Sequence, residues 1–187
     1  MPYDSNEEVI RRIDKMKVRA EIMRSAHVSL GERYGFKSKL IKIVLLIGST
    51  ITTTLIFTRN FNEETFVFVA GIFSIILFIL SLIELVLNYE KNAETHNQAA
   101  KLFTSLMREL SQIQETKTID EKTLEALHDK YDWINESSPW IPDKDLLEAK
   151  RLFKIIKGIN KALDDELNMG KSIKILENDI MPNEDEN

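Results

Sequence analysis

Two long apolar stretches, separated by mostly polar residues 58–65, dominate the sequence. The first covers residues 43–57 and the second residues 66–87, which contain a single charged residue, Glu84. A helix rises about 1.5 Å per residue, so the second stretch would span ~33 Å, close to the ~30 Å hydrocarbon core of a bilayer. The first reaches about 28 Å if it starts at residue 40 and the Lys42 side chain extends toward the headgroups. Because the connecting segment is short, the pattern predicts a two-pass transmembrane hairpin.

The polar sequence on both sides of the hairpin carries apolar or small residues at alternating steps of three and four. Such a seam is typical of helices that pack side by side. We expect the two seams to pair with each other or with those of neighbouring subunits. The seam before the hairpin is Val9, Ile13, Met16, Ala20, Met23, His27, Leu30 and Tyr34; the seam after it is Ala93, His96, Ala100, Phe103, Met107, Leu110 and Ile113.

Glycine and proline positions indicate where these helices bend and end. Gly31 and Gly35 weaken the helix just before the membrane and indicate a bend there. Neither residue type occurs between residues 72 and 119, so the second apolar stretch should continue as one helix of about 45–50 residues.

The C-terminal part predicts a smaller helical module. Residues 118–121 resemble a capping box, followed by an apolar face at Leu124, Leu127, Tyr131 and Ile134. Residues 137–142 break that helix, Asp143 can cap the next, and residues 168–170 are a stop signal. Residues 171–181 fit either a helix or a strand. The resulting segments are an amphipathic helix (4–39), a first span (40–58), an extracytoplasmic loop (59–65), a second span (66–88), its cytosolic extension (89–116), a helical cytosolic module (117–181) and an acidic disordered tail (182–187).

Charge and cysteine usage exclude several classes. The formal charge is −5, and residues 84–187 hold 14 basic against 22 acidic residues, which argues against a nucleic-acid partner. The chain has no cysteine, which excludes disulfides and thiolate metal sites and suits a cytosol-facing protein.

Basic residues also predict the orientation. They are concentrated beside the cytosolic ends of both spans, whereas the loop contains only Arg59. By the positive-inside rule, we expect both termini to lie in the cytoplasm. No signal peptide is evident, so the hairpin should insert as its own signal. The flanking residues are Arg33, Lys37, Lys39, Lys42, Lys91 and Lys101.

Polar residues inside the spans suggest a water-lined path in an assembled oligomer. Glu84 is the strongest of these, because ionisable groups inside a span usually face a cavity or a partner. It lies half a turn away from the seam that begins at Ala93, so we expect it to face away from the partner helix and to pair with Lys42 across subunits. The alternatives are that Glu84 reaches the headgroups and that the hydroxyls serve ordinary helix packing. The candidates are Lys42, Ser49, Thr53, Ser74, Ser81, Glu84 and Asn88.

His27 and His96 lie on the two seams at similar depth, and Tyr34 follows on the first. An ordinary imidazole titrates near neutral pH, so the pair is a candidate switch; structural histidines that bond across the helix pair are the alternative. No catalytic constellation, cofactor motif or metal-ligand spacing accompanies them, and we expect no enzyme activity, cofactor or metal.

These features together resemble the SLATT family, the two-transmembrane effector domain associated with bacterial second-messenger nucleotidyltransferases and SLOG sensors. The resemblance covers roughly residues 5–165. It rests on His27 with the following Tyr34, Lys37 and Lys39, on the tight hairpin, on residues 94–100 leading into Phe103 and Leu106, and on Tyr131 and Pro139.

The resemblance implies a bacterial inner-membrane effector of an antiphage system. Such an effector forms pores as a homo-oligomer when a separate sensor protein or a nucleotide second messenger signals infection. We therefore predict an all-α membrane protein with a two-transmembrane helical hairpin extended into a cytosolic bundle. A membrane-anchored scaffold or signalling adaptor is the alternative function. A soluble helical protein would need a large shell to cover an all-round apolar helix.

Overall fold

Five helices make up the computed structural model, which describes residues 3–57, 64–115 and 121–180, with side chains for 8–57, 68–114 and 121–165. They are α1 (Tyr3–Phe57), α2 (Glu64–Leu87), α3 (Tyr89–Glu115), α4 (Glu121–Ser137) and α5 (Asp143–Ile180). No strand occurs in these ranges, so the all-helical prediction is confirmed there. The chain divides into two compact units, Met1–Pro142 and Asp143–Asn187.

Helices α2 and α3 run back along α1. Three contacts show the direction: Gly48 meets Leu77, Ser38 meets Glu84, and Gly31 meets Asn97. Helices α2 and α3 are therefore antiparallel to α1. The sequence suggested a bend at Gly31 and Gly35, but α1 continues as helix through both.

The two glycines instead allow α3 to approach closely. A Cβ atom on Gly31 would lie only 3.1 Å from Asn97 Cγ and 3.4 Å from the Ala93 carbonyl oxygen. A Cβ atom on Gly35 would lie 3.8 Å from Ala93 Cβ, an ordinary packing contact. At Gly31 a side chain would therefore have to displace the Asn97 side chain, whereas at Gly35 there is ordinary room.

The predicted single long helix from the second apolar stretch is interrupted at Asn88. This residue adopts a left-handed φ of 44°, a conformation that asparagine tolerates better than most residues. Its backbone N–H still donates to the Glu84 carbonyl at 2.9 Å. The Asn88 side chain accepts from the Lys91 N–H at 3.4 Å, and the side-chain amide of Asn92 donates to the Leu87 carbonyl at 2.9 Å. The break is thus one residue wide, with side chains satisfying the exposed backbone groups.

The core of the first unit confirms that the two predicted seams pair with each other. On α1, Ile13, Ala20, His27 and Leu30 are at most 2% exposed. Facing them on α3, the seam residues from Ala93 to Leu110 are buried, apart from the half-buried Met107. The remaining members of the α1 seam, Val9, Met16, Met23 and Tyr34, are half-buried.

Helix α4 closes one side of this core. Leu124, Leu127 and Ile134 are buried and Tyr131 packs against them, as the sequence predicted. Lys130 of α4 forms an ion pair with Glu109 of α3. The predicted capping box includes residues 118–120, which lie outside the described residues.

Helix α5 is longer than predicted. The stop signal at residues 168–170 does not end it, and residues 171–180 are helical, which resolves the choice between helix and strand. Its Asp143 and Asp145 stand in the first turn, where negative charge favours a helix. The predicted tail at residues 182–187 and most of the loop at residues 59–65 lie outside the described residues.

Two helical stretches are long and apolar enough to cross a membrane, one within Glu8–Phe57 and one within Phe68–Gln114. In the most apolar 18-residue window of each, only 11% and 6% of residues are buried. Away from its contact with α1, α2 exposes large apolar side chains, such as Phe78 at 64% and Leu85 at 75%. This surface is unlike the core helix of a soluble protein, which is mostly buried.

Candidate functional site

A pair of buried histidines joins α1 to α3 at the centre of the seam. His27 Nδ1 lies 2.9 Å from His96 Nδ1, and the side chains are 0% and 5% exposed. Two neutral rings can share this contact only if one nitrogen carries the proton and the other does not. The two histidines therefore hold opposite tautomers.

The surroundings of His27 indicate which ring donates. Its Nε2 atom is buried without a hydrogen-bond partner. A buried N–H without an acceptor costs more than a bare lone pair, because the lost hydration of the donor is not replaced. We therefore assign the proton of His27 to Nδ1, from which it donates to His96.

The same burial makes His27 a weak base. Desolvation, followed by repulsion from a charged His96, lowers the pKa of His27 from 6.5 to about 4. A proton arriving at Nε2 would create a buried imidazolium with no acceptor on that side. At neutral pH His27 is accordingly uncharged, and one hydrogen bond between the two rings joins α1 to α3.

Aromatic rings extend the histidine pair in both directions along the seam. Phe103 stacks on His27 with centroids 5.7 Å apart, and Tyr34 stacks on His96 at 5.6 Å. Tyr89, the first residue of α3, continues the row at 6.1 Å from Tyr34. The sequence singled out Tyr34, whereas Tyr89 was missed because it precedes the recognisable start of the second seam.

Lys37 lies at the end of this row. Its ammonium nitrogen is 5.9 Å from the Tyr34 ring centroid and 5.6 Å from that of Tyr89. Both distances are within the range of cation–π attraction. The row therefore runs from the core of the seam to the base of the apolar helices.

A second polar contact stands where the seam meets the apolar helices. Ser38 is 3% exposed, and its hydroxyl donates to Glu84 Oε1 at 2.9 Å. The other carboxyl oxygen, Oε2, is buried without a hydrogen-bond partner. Ser38 was not a sequence candidate, although it continues the α1 seam four residues after Tyr34.

The contact shows that Glu84 faces α1 rather than away from it. The expectation of the opposite orientation used 100° per residue from Glu84 to Ala93, which holds only for an unbroken helix. The left-handed residue Asn88 lies between them and shifts the rotational phase. Glu84 and the seam therefore share one side.

The other charged candidate, Lys42, pairs with Glu90 within the chain. Both side chains are exposed, and Glu90 was not predicted. The expected contact between Lys42 and Glu84 of another subunit stays a prediction. Asn88 caps α3, as described above, with its side chain exposed.

Most hydroxyl candidates bond to their own helix. Ser49 donates to the Leu46 carbonyl, Thr53 to that of Ser49 and Ser74 to that of Ala70, at 2.8 to 2.9 Å. Ser81 is exposed on α2. The structure thus does not gather the seven polar candidates around one point of a single chain.

A cavity of about 290 Å³ lies between α1 and α4. Arg12, Lys15 and Arg19 line it from α1, and Leu124, His128 and Tyr131 line it from α4. Burial raises the pKa of Tyr131. His128 contacts Asp132 at 3.2 Å, far along the chain from the buried histidines.

Fold and site together define an all-helical protein in which two long apolar helices adjoin a tightly packed, histidine-bearing seam. The chain belongs to the family described as Mobilome CxxCx(11)CxxC protein, whose family model matches residues 18–165. Comparison with curated proteins and with solved structures gave no match.

The family's description refers to two CxxC pairs, yet this chain contains no cysteine. Paired CxxC motifs are typical of thiolate metal sites. No group of three or more His, Asp or Glu residues suited to a metal occurs among the described residues. The residues present therefore do not fit a metal centre of that kind.

Proposed function

We propose that this protein is a two-pass inner-membrane protein that permeabilises the membrane when it assembles, as the effector of a bacterial antiphage or abortive-infection system. The SLATT resemblance supports this role. The word mobilome in the family's description supports a link to mobile genetic elements. A separate sensor protein or a nucleotide second messenger would supply the trigger.

The exposed apolar surface of α1 and α2 carries the proposal. Water would contact large side chains on the faces of α2 that do not pack against α1, whereas a bilayer would cover them. Since α2 runs back along α1, both ends of this pair leave the membrane on the same side. The basic residues beside those ends support a cytoplasmic location for that side.

The Ser38–Glu84 contact is the part of the spans that we propose to move. A buried carboxyl with one unpaired oxygen is costly to keep in an apolar environment. Assembly would offer that oxygen a new donor, such as Lys42 of a neighbouring subunit. Ser49, Thr53, Ser74, Ser81 and Asn88 would then line the path beside it.

A specific observation supports the alternative of a membrane-anchored scaffold or adaptor. The hydroxyls of α1 that would line a path, from Ser49 to Thr54, bond to backbone carbonyls of α1 itself. Such hydroxyls have no need of water and suit close helix packing. In this function the hairpin would only anchor the seam.

Membrane potential separates the two functions. The full chain would be fused to a chemically inducible dimerisation domain and expressed in bacteria loaded with a potential-sensitive dye. Pore formation predicts depolarisation on induced assembly and a much weaker response for Glu84→Ala. The exposed Ser105→Ala serves as the matched control. An unchanged potential with well-expressed, assembled protein would favour the anchor.

A further inference from the structure

Helix α5 carries two parallel rows of opposite character. Leu152, Ile156, Ile159 and Leu163 follow steps of four, three and four, and Lys150, Lys154, Lys157 and Lys161 follow the same steps two residues earlier. Two residues correspond to about 200° of helix rotation. The apolar row and the lysine row therefore lie on opposite faces.

The apolar face is exposed. Leu152, Ile156, Ile159 and Leu163, with the neighbouring Ile155, are between 48% and 60% exposed. Single exposed apolar residues are ordinary, but five on one face of a helix form a contiguous patch of the kind that marks an interaction surface.

The charge around this patch is one-sided. Between residues 149 and 163 the chain has five basic residues and no acidic one, although its total charge is −5. Lys150, Lys154 and Lys157 have no acidic residue three or four positions away in either direction. Like charges at this spacing destabilise a helix, so this segment favours an anionic surface.

We infer that residues 149–163 of α5 bind the surface of an anionic membrane. A helix with aliphatic residues on one face and Lys or Arg on the other lies in the bilayer interface and is attracted by anionic headgroups. A second copy of α5 fits less well. Ile155, Asn160 and Ala162, which border the apolar row, offer no charges that would select a partner helix.

This inference does not rest on pore formation, because surface binding by α5 needs neither a path nor an assembly. It adds a contact that would make the protein sensitive to lipid charge.

Fluorescence of single-cysteine variants tests the inference, since the native chain contributes no cysteine. Ile156→Cys would place an environment-sensitive dye on the apolar face. Gly158→Cys is the matched control, because a Cβ atom there meets nothing within 4 Å. The full-length variants would be mixed with vesicles of phosphatidylcholine alone or with added phosphatidylglycerol.

We expect a blue shift and a several-fold intensity increase at position 156 with anionic vesicles only, and little change at position 158. Joint Lys150→Gln, Lys154→Gln and Lys157→Gln should remove the dependence on lipid charge. The same number of charges removed at Lys101, Arg108 and Lys122 should preserve it. Equal emission with both vesicle types would overturn the inference, as would a shift that follows protein density instead of lipid charge, which would indicate a second copy.

Discussion

His27 and His96 lie 69 positions apart in sequence, yet their Nδ1 atoms are 2.9 Å apart in the buried seam between α1 and α3. The contact needs one protonated and one unprotonated nitrogen. Protonation of His27 at Nε2 would create a buried positive charge, and no acceptor faces that atom. The stability of the seam is thereby linked to pH.

Acidification should destabilise the seam. The pKa of His27 is lowered from 6.5 to about 4, so the unfolded chain binds its proton first as pH falls. The stabilising contribution is full above pH 6.5 and is lost between pH 6.5 and about 4, amounting to about 3 kcal/mol at most. Thermal unfolding of the detergent-solubilised protein would measure this.

His27→Phe keeps the ring stack and removes the titration, so the difference in melting temperature between it and the native chain should shrink toward pH 4. His128→Gln alters an exposed histidine and should leave the seam's pH dependence in place. If the difference in melting temperature between native and His27→Phe protein stayed constant from pH 6.5 to about 4, the lowered pKa of His27 would be contradicted.

A bulky side chain at Gly31 should separate α1 from α3. Gly31→Leu would drive atoms against the Asn97 side chain and the Ala93 carbonyl, at a cost of about 1–3 kcal/mol. Gly158→Ala tests helix propensity alone, since that site is open, and should stabilise by up to about 1 kcal/mol. Denaturant unfolding followed by circular dichroism would compare them; equal effects at the two glycines would argue against the close approach.

Asn88 should tolerate glycine better than alanine. Alanine at a φ of 44° is strained and loses the cap on the Lys91 N–H, which together cost about 1–2 kcal/mol. Glycine adopts this backbone freely and loses only the cap. We expect the native chain to have the highest melting temperature, Asn88→Gly a lower one and Asn88→Ala the lowest. If Asn88→Ala were the most stable, an unbroken helix would be the better description.

Sequence periodicity predicted the seams because burial acts on every third or fourth residue of a helix. It did not reveal that Asn88 breaks the helix, since asparagine occurs in helices as well. The direction predicted for Glu84 assumed an unbroken helix and was therefore wrong. Ser38 and Tyr89 extend the seams toward the apolar helices, but they lie beyond the positions at which the repeating pattern could be recognised. Family membership could not be predicted, because the cysteines of the family's description are absent here.

Ser38→Ala should destabilise the protein more than the loss of one small hydroxyl group suggests. The variant removes the donor to Oε1 and leaves a buried carboxyl with neither oxygen bonded in the described structure. Glu84→Gln would relieve the charge and should restore much of the stability that Ser38→Ala loses. A double-mutant cycle on melting temperature measures the coupling. Purely additive effects would mean that the two side chains act independently.

Cysteine accessibility tests most directly whether α1 and α2 cross the membrane with both ends inside. Two single-cysteine variants would be used. Asn62→Cys replaces a residue of the segment between the apolar stretches, and Glu94→Cys replaces an exposed residue of α3. In spheroplasts treated with a membrane-impermeant maleimide, we predict labelling of the Asn62→Cys variant in intact cells and of the Glu94→Cys variant only after lysis. Equal labelling of both variants in intact spheroplasts, or release of the protein by salt without detergent, would contradict the two-pass topology.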